Sequence, residues 1–381
     1  MATVRQGKCF RVPENPVDLE QMWRDAEILS ETRLPAWLAP EDVHSYRYLG
    51  CVSMTRLDGE HEEWRSDQNA LEAAGFIIDQ DPQQGLTRHL YIPAPREDVW
   101  SIAIYSGPSP FDLCAPQGVR NPVLTRELVS DVPATFVADP FMIQANGGWY
   151  MFFEVMNWHS GKGEIGLAQS QDGFAWTYQQ IVLAEPFHLS YPYVFEWKGE
   201  YYMIPESYQS GSIRLYKAGT FPSRWCFVAP LLVGPYLVDP SIFHYHDKWW
   251  LFAETNPEGK HDCLRLYFAD NLSGPWIEHP KSPVVRDNAK IARPGGRVLV
   301  NGAQIFRYTQ DCSISYGSHV RAFQITELNT RNYAEHEVSS LPVLAPSGRG
   351  WNADGMHHVD AHQVKTDKWI ACVDGRRAPA I

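Results

Sequence analysis

No Cys-x-x-Cys pair occurs anywhere in the sequence. Its seven cysteines, Cys9, Cys51, Cys114, Cys226, Cys263, Cys312 and Cys372, are odd in number and stand far apart. That spacing offers neither a zinc ribbon nor a disulfide framework. Long apolar runs are also missing, so no helical membrane span is expected. The opening residues, MATVRQGKCFRVPENP, contain no apolar leader core, and a reducing, cytoplasmic compartment is the expectation. Basic residues are in deficit: 33 Lys and Arg stand against 45 Asp and Glu, a net charge of -12. Phosphate backbones and anionic bilayers require a basic face, so neither nucleic acid nor an anionic membrane is an expected partner. Glycine-rich phosphate loops, nucleophile elbows and His-Glu-x-x-His motifs are absent. The second half shows no amphipathic helical periodicity, which disfavours an α/β fold.

Aromatic residues are plentiful, with 14 Trp, 18 Tyr and 17 Phe. They suit strands, and their faces also suit sugar rings. A repeat organises them. DPFMIQANGGWYMFFE, YPYVFEWKGEYYMIPES, DPSIFHYHDKWWLFAET and RPGGRVLVNGAQIFRYTQD each open on X-Pro and continue with an apolar strand, a polar turn and a second strand. The aligned prolines, Pro140, Pro192, Pro240 and Pro294, lie 52, 48 and 54 residues apart. A third strand follows in each unit (GEIGLAQS, SIRLYKAG, CLRLYFAD, HVRAFQIT), and Trp176, Trp225 and Trp276 open a fourth. This is the layout of propeller blades. The fifth unit is split. MHHVDAHQVKTDKWIACVDG supplies two strands before the chain ends, and Trp100-Ser-Ile-Ala-Ile-Tyr105 supplies the third from upstream. The fold expected is all-β: a five-bladed β-propeller over 99–381, its last blade closed by both chain ends, with an α+β extension over 1–98 packing on it. In that extension Asn15 caps a helix begun by Pro16, with Leu19, Met22, Trp23 and Ala26 on one face. A second short helix covers 68–74 and ends at Gly75, and RYLGCVSMT and HLYIPAP read as strands.

The first strand of each blade lines the propeller axis, so Asp139, Tyr191, Asp239, Arg293 and the run His357-His358-Val359-Asp360 converge on one mouth. Charged groups are rarely buried unless paired or functional. The bland alternative is that Asp-Pro opens a tight turn, its carboxylate capping backbone amides. Arg293 and Arg297 bracket Pro-Gly-Gly, an arrangement suited to a phosphate or carboxylate, or to neutralising Asp139 or Asp239. Along a strand His358, Asp360 and His362 share a face while His357 points the other way. His358 and His362 are therefore weak candidates for an axial metal ion, and no other cofactor is expected.

The two Asp-Pro openings resemble the five-bladed propellers of the arabinanase, β-xylosidase and invertase glycosidases. That resemblance implies that Asp139 is base or nucleophile and that Asp239 orients substrate. A general acid is implied on the fourth blade, where IARPGGRVL has no carboxylate; Glu206 or Glu254 would then have to act from a second strand. A longer stretch, from about Trp100 to Gly375, is similar to the N-terminal propeller-like domain of plant glucosamine inositolphosphorylceramide transferases. VADPFM, YMFFEVMN, PFHLSYPYVFEWKGEYYMIPES, ARPGGRVL, GMHHVDAHQ and KWIACVDG carry that similarity. It implies a sugar-related setting. Mannoside phosphorylases share the fold and hold phosphate with basic residues. The expectation is a carbohydrate-active propeller that cleaves or transfers a glycosyl group, hydrolase- or phosphorylase-like. Asp139, Asp239, Glu206 and Glu254 are its catalytic candidates. Tyr191, Arg293, Arg297, His357, His358 and Asp360 are its candidates for binding a small molecule or oligosaccharide, with an anionic ligand favoured. A non-catalytic glycan or sugar-phosphate binder and a tailoring enzyme for a non-sugar metabolite are the alternatives.

Overall fold

The computed structural model describes residues 98–378 and, ahead of them, the backbone of four strands: β1 (Cys9–Phe10), β2 (Tyr46–Ser53), β3 (Ile77–Gln80) and β4 (Thr87–Pro93). These form one sheet in the order β1-β2-β4-β3. The two segments read as strands fall on β2 and β4. The two helices expected over 15–26 and 68–74 lie outside the described residues.

The next strands are β5 (Val99–Ser109) and β6 (Asp112–Cys114). Four complete sheets follow: β7 (Ala134–Ala145) to β10 (Thr177–Leu183), β11 (Ser190–Trp197) to β14 (Arg224–Val233), β15 (Val238–Tyr245) to β18 (Ile277–Glu278), and β19 (Leu299–Asn301) to β22 (Tyr333–Glu337). Each is a four-stranded antiparallel meander, and these are blades 1 to 4. The fifth sheet has the order β23-β24-β5-β6, with β23 at Val359–Lys365 and β24 at Lys368–Arg377. β24 and β5 pair from Trp369↔Gly107 to Arg377↔Val99. Strands from before blade 1 and after blade 4 thus share the fifth sheet.

Four apolar clusters fill the seams between neighbouring blades. One joins blades 1 to 3 around Phe141, Tyr193, Leu215 and Trp249. Others join blade 5 to blade 1 around Ile102 and Met151, blade 4 to blade 5 around Tyr308 and Val359, and blade 3 to blade 4 around Trp250 and Ile305. Period-2 alternation gives each strand one residue for each neighbouring seam, which is why nearly continuous apolar strands suit a propeller. The recurring tryptophans anchor outer turns: Trp176 and Trp225 each donate their indole N–H to a carbonyl three residues back, at 2.9 Å.

Candidate functional site: an axial carboxylate cluster

The X-Pro repeat has a structural cause. In blades 1, 2 and 3 the pairing of the innermost strand with its neighbour slips at an equivalent position: between Ala138 and Phe141, Ser190 and Tyr193, and Val238 and Ser241. Proline has no N–H to donate, and a bulge is where a sheet tolerates it. The residue before each proline takes a left-handed conformation, with φ of 52° at Asp139, 45° at Tyr191 and 48° at Asp239. A side chain held there is strained, and the bulge turns it toward the axis.

The second strands add to the cluster. Glu154, Glu206 and Glu254 each lie fifteen residues beyond the axial residue of their blade. Each pairs with the residue just before the bulge: Ala138↔Glu154, Ser190↔Glu206 and Val238↔Glu254. All three are buried. Blade 5 contributes Asp374 from β24. Its Oδ2 accepts the Asp139 backbone N–H at 3.0 Å, and its Oδ1 accepts the backbone N–H groups of His357 (3.2 Å) and His358 (3.0 Å).

Asp374 also holds the His357 ring through Nδ1, at 2.8 Å. Trp100 stacks on that ring with centroids 3.9 Å apart. The far nitrogen, Nε2, points at Asp139 Oδ1 from 3.8 Å. Burial alone would pull the imidazolium down, but the Asp374 and Asp139 carboxylates outweigh it and raise the pKa. Burial raises Asp139 above the usual carboxylate range, with the Asp239 and Asp374 charges adding to it and His357 opposing. Asp374, rich in donors, is held below its ordinary value by His357 and the backbone.

Asp239 is only 1% exposed. Its Oδ2 accepts from Arg293 Nε at 2.6 Å and from Gln310 Nε2 at 2.8 Å. Arg293 Nη1 donates to His261 Nδ1 at 2.9 Å, and its guanidinium lies over the Tyr316 ring. Arg293 thus faces the axis and neutralises Asp239. Three buried carboxylate oxygens nearby have no hydrogen-bond donor: Asp139 Oδ1, Asp239 Oδ1 and Glu254 Oε2. Burial pushes Glu206 up to about 8 and Glu254 up to about 7, and Asp239 adds to both.

Several expected ligand contacts are occupied by the fold itself. Tyr191 is fully buried; its hydroxyl accepts the Gly296 N–H at 2.7 Å and lies 2.9 Å from Ser241 Oγ. It ties blades 2, 3 and 4 together. Arg297 does not stand beside Arg293. It grips Asp360 at 2.6 Å and donates to the Val194 carbonyl at 2.9 Å, a strut between blades 4, 5 and 2. Asp360 also accepts the Met142 N–H at 2.7 Å and meets His362 Nε2 at 3.1 Å. His358 is buried edge-on against Phe141 and Tyr191, and burial lowers its pKa to about 4. The glycines of Arg-Pro-Gly-Gly serve close packing rather than ligand flexibility. A Cβ on Gly296, at φ 143°, would sit 1.8 Å from the Val359 carbonyl oxygen. His358 and His362 do not converge on one point. Among the described residues, the group whose donor atoms lie close enough to share a cation is Asp139, His357 and Asp374.

The family model described as "Glucosamine inositolphosphorylceramide transferase 1, N-terminal" matches residues 94–376. Glucosamine inositolphosphorylceramide transferase 1 of Oryza sativa subsp. japonica is 36% identical over 309 residues, covering 74% of this chain and 41% of the rice protein. The Arabidopsis thaliana protein of that name is 35% identical over 302 residues, covering 74% of this chain and 39% of its own length. The chain therefore spans about two fifths of the curated relatives it matches. Among solved structures, the β-1,2-mannobiose phosphorylase from Listeria innocua superposes with a TM-score of 0.53 at 12% identity, over 72% of this chain and 96% of that one. At such identity the likeness is one of fold.

Proposed function

Because this chain belongs to the family defined by the N-terminal region of glucosamine inositolphosphorylceramide transferase 1, we propose that its propeller is a carbohydrate-active module whose axial cluster acts on a glycosyl group. The observation that carries this reading is Asp139. It is a buried carboxylate on strained backbone, with one oxygen lacking a donor and an Asp-supported histidine 3.8 Å away. Turn caps do not look like this, because a capping carboxylate accepts the amides around it. Here the Asp139 amide is itself held by Asp374.

The roles follow from protonation. Asp139 accepts the proton of the attacking hydroxyl as the new C–O bond forms. His357, its pKa raised by its two carboxylate neighbours against the effect of burial, gives its Nε2 proton to the departing oxygen as the old C–O bond breaks. Afterwards the proton on Asp139 returns to His357 Nε2, and the site is reset. His357 thereby answers the missing fourth-blade acid. Asp239, oriented through Oδ2 by Arg293 and Gln310, presents its undonated Oδ1 to the positive glycosyl centre.

Incubation with aryl glycosides and with glycosyl donors, with and without phosphate, tests the reading. Turnover abolished by Asp139→Asn at unchanged melting temperature supports it. A second reading, a sugar-binding module without turnover, is favoured by the salt bridge that occupies the fourth-blade position. Ligand-induced thermal stabilisation with no product in any assay would establish that second reading instead.

A further inference from the structure

The axial cluster is shut. Asp139, His357 and Asp239 are 5%, 2% and 1% exposed, so a ligand that reacts at Asp139 needs a way in. In blades 2, 3 and 4 the second strand ends at Glu206, Glu254 and Asp311, and a connection to the third strand starts there. Two of these connections are laced by their own side chains. The hydroxyls of Ser207 and Ser210 both donate to the Ser212 carbonyl, at 2.8 and 3.2 Å. Asn256 Nδ2 donates to Asp262 at 2.6 Å, and Arg265 Nε donates to the Thr255 hydroxyl at 3.2 Å.

The third connection, 312–317, is secured at its neck. The Asp311 carbonyl accepts both the N–H of Ser318, at 3.0 Å, and its hydroxyl, at 2.7 Å. The Asp311 carboxylate accepts the Ser313 N–H at 3.1 Å and Arg321 Nε at 2.9 Å. Beyond the neck the segment is exposed from Ser313 to Tyr316. Among the described residues, one side-chain hydrogen bond holds its tip: Arg376 Nη2 donates to Ser315 Oγ at 2.8 Å. Tyr316 lies across both halves of the cluster. Its ring meets His357 edge-on with centroids 5.3 Å apart, and Arg293 Cζ stands 5.0 Å from its centroid. Trp100 and His261 touch the same ring, at 6.3 and 5.5 Å. Gly317, at φ 61°, lets the segment lie down on the histidine, since a Cβ there would sit 2.7 Å from His357 Cβ.

We infer that residues 312–317 are a gate on the axial site: the segment pivots at the Asp311–Ser318 neck, Tyr316 is its sealing face, and the Ser315–Arg376 hydrogen bond is its latch. The inference rests on the reading above of the axial cluster as a ligand site. Opening breaks one hydrogen bond and the ring contacts of Tyr316, and it keeps every strand pairing. It therefore demands far less than parting two blades. Closing excludes water from Asp139 and His357 and strengthens the attraction between them. Arg376 ties the latch to the fifth blade. Its guanidinium pairs with Asp98 and lies over Trp100, the ring that stacks on His357. The latch thus rests on the same stack that sets the histidine.

Cys312, at the base of the gate, reports opening without any ligand, because its sulfur accepts the Gly317 N–H. Iodoacetamide labelling of the full chain, followed at each cysteine by peptide mass, tests the inference. Exposed Cys114 and Cys226 mark free reaction, half-buried Cys263 marks partial burial outside the gate, and buried Cys372 marks global unfolding. Cys312 should react at least about tenfold more slowly than Cys114 and Cys226, since it waits for a local opening. Ser315→Ala keeps the ring and removes the latch. It should speed Cys312 about tenfold, the effect of one lost charge-assisted hydrogen bond, and leave Cys263 and Cys372 unchanged. Tyr316→Ala, which removes the sealing face, should speed it further. A Cys312 rate equal to that of the exposed cysteines overturns the inference, as does a rate indifferent to Ser315→Ala. A parallel rise at Cys372 overturns it too, because the hydrogen bond then serves the whole fold. Labelling needs no turnover. A latch-dependent rate with no glycoside turned over keeps the gate and removes the catalytic reading, and turnover with a latch-independent rate does the reverse.

Discussion

The Asp374 carboxylate lies 2.8 Å from His357 Nδ1 and accepts the His357 backbone N–H at 3.2 Å, so one side chain fixes both the ring and the chain of its partner. Asp374 sits on β24, the strand that β5 must join for the ring to close. Closing the fifth blade and setting the histidine are thus one structural event.

That relationship predicts the behaviour of Asp374→Asn. The amide keeps the shape, but it has one acceptor oxygen for the backbone N–H groups that two carboxylate oxygens now take, and it no longer supports a charged imidazole. Burial then dominates, and the His357 pKa falls. A general acid works only while protonated, so activity that declines as pH rises should begin its decline at lower pH in the variant. The rate at neutral pH should drop by about 10²–10⁴-fold, the range typical of lost acid–base assistance. A pH–rate profile that is lower but not displaced would mean that Asp374 serves the fold alone.

The buried glutamates set a stability trend. Glu206 rises to about 8 and Glu254 to about 7 in the folded protein, from ordinary values of 4.5. The folded state therefore binds more protons than the unfolded one between these limits, and stability falls as pH rises through that window. It is greatest near or below pH 4.5 as far as these two groups decide it, and the loss is complete above about 8. Melting temperatures taken from pH 5 to 8.5 should decline, and Glu206→Gln should flatten the curve. A steeper decline in the variant would contradict the assignment.

The sequence made the ring legible because four of the five blades open on X-Pro, and because WSIAIY repeats the third-strand pattern of SIRLY and CLRLY. Asp139 and Asp239 were found by that alignment. The fifteen-residue interval from each axial residue to Glu154, Glu206 and Glu254 was also present in the repeat and could have revealed Glu154. Asp374 was hidden in the apolar run KWIACVDG, since its partner Asp139 is 235 residues away. The inward turn of Tyr191 and Arg297 depends on where bulges and Gly296 place each backbone, which strand alternation does not encode.

Gly296 gives a direct test of blade contact. Its backbone bridges to Val359 and bonds the Tyr191 hydroxyl. Gly296→Ala would place a methyl group 1.8 Å from the Val359 carbonyl oxygen, at a φ of 143° that side chains avoid. The loss should be at least about 1–3 kcal/mol from backbone strain alone, read as a lowered urea midpoint at unchanged slope. An unchanged midpoint would mean that blades 4 and 5 do not approach this closely.

Arg297 and Asp360 make the last prediction. Asp360 is wholly buried, and the Arg297 guanidinium, with His362 assisting, holds it far below the usual carboxylate range against the effect of burial. Arg297→Met removes the charge but keeps an apolar stem, leaving Asp360 ionised beside the Met142 N–H alone and His362. Breaking one side of a buried pair costs about 3–5 kcal/mol, because the remaining charge has no compensation. Replacing both partners is a different experiment. In Arg297→Met with Asp360→Asn, the amide oxygen can still accept the Met142 N–H, and no charge remains buried. Most of the lost stability should return, and the double-mutant cycle should show a large favourable coupling. If the double variant is as unstable as the sum of its parts, the pair acts through the Val194 carbonyl and the packing of Arg297 rather than through its charge. In either case the binding of neutral sugars by the folded fraction should be unaltered, since both residues are committed to the ring.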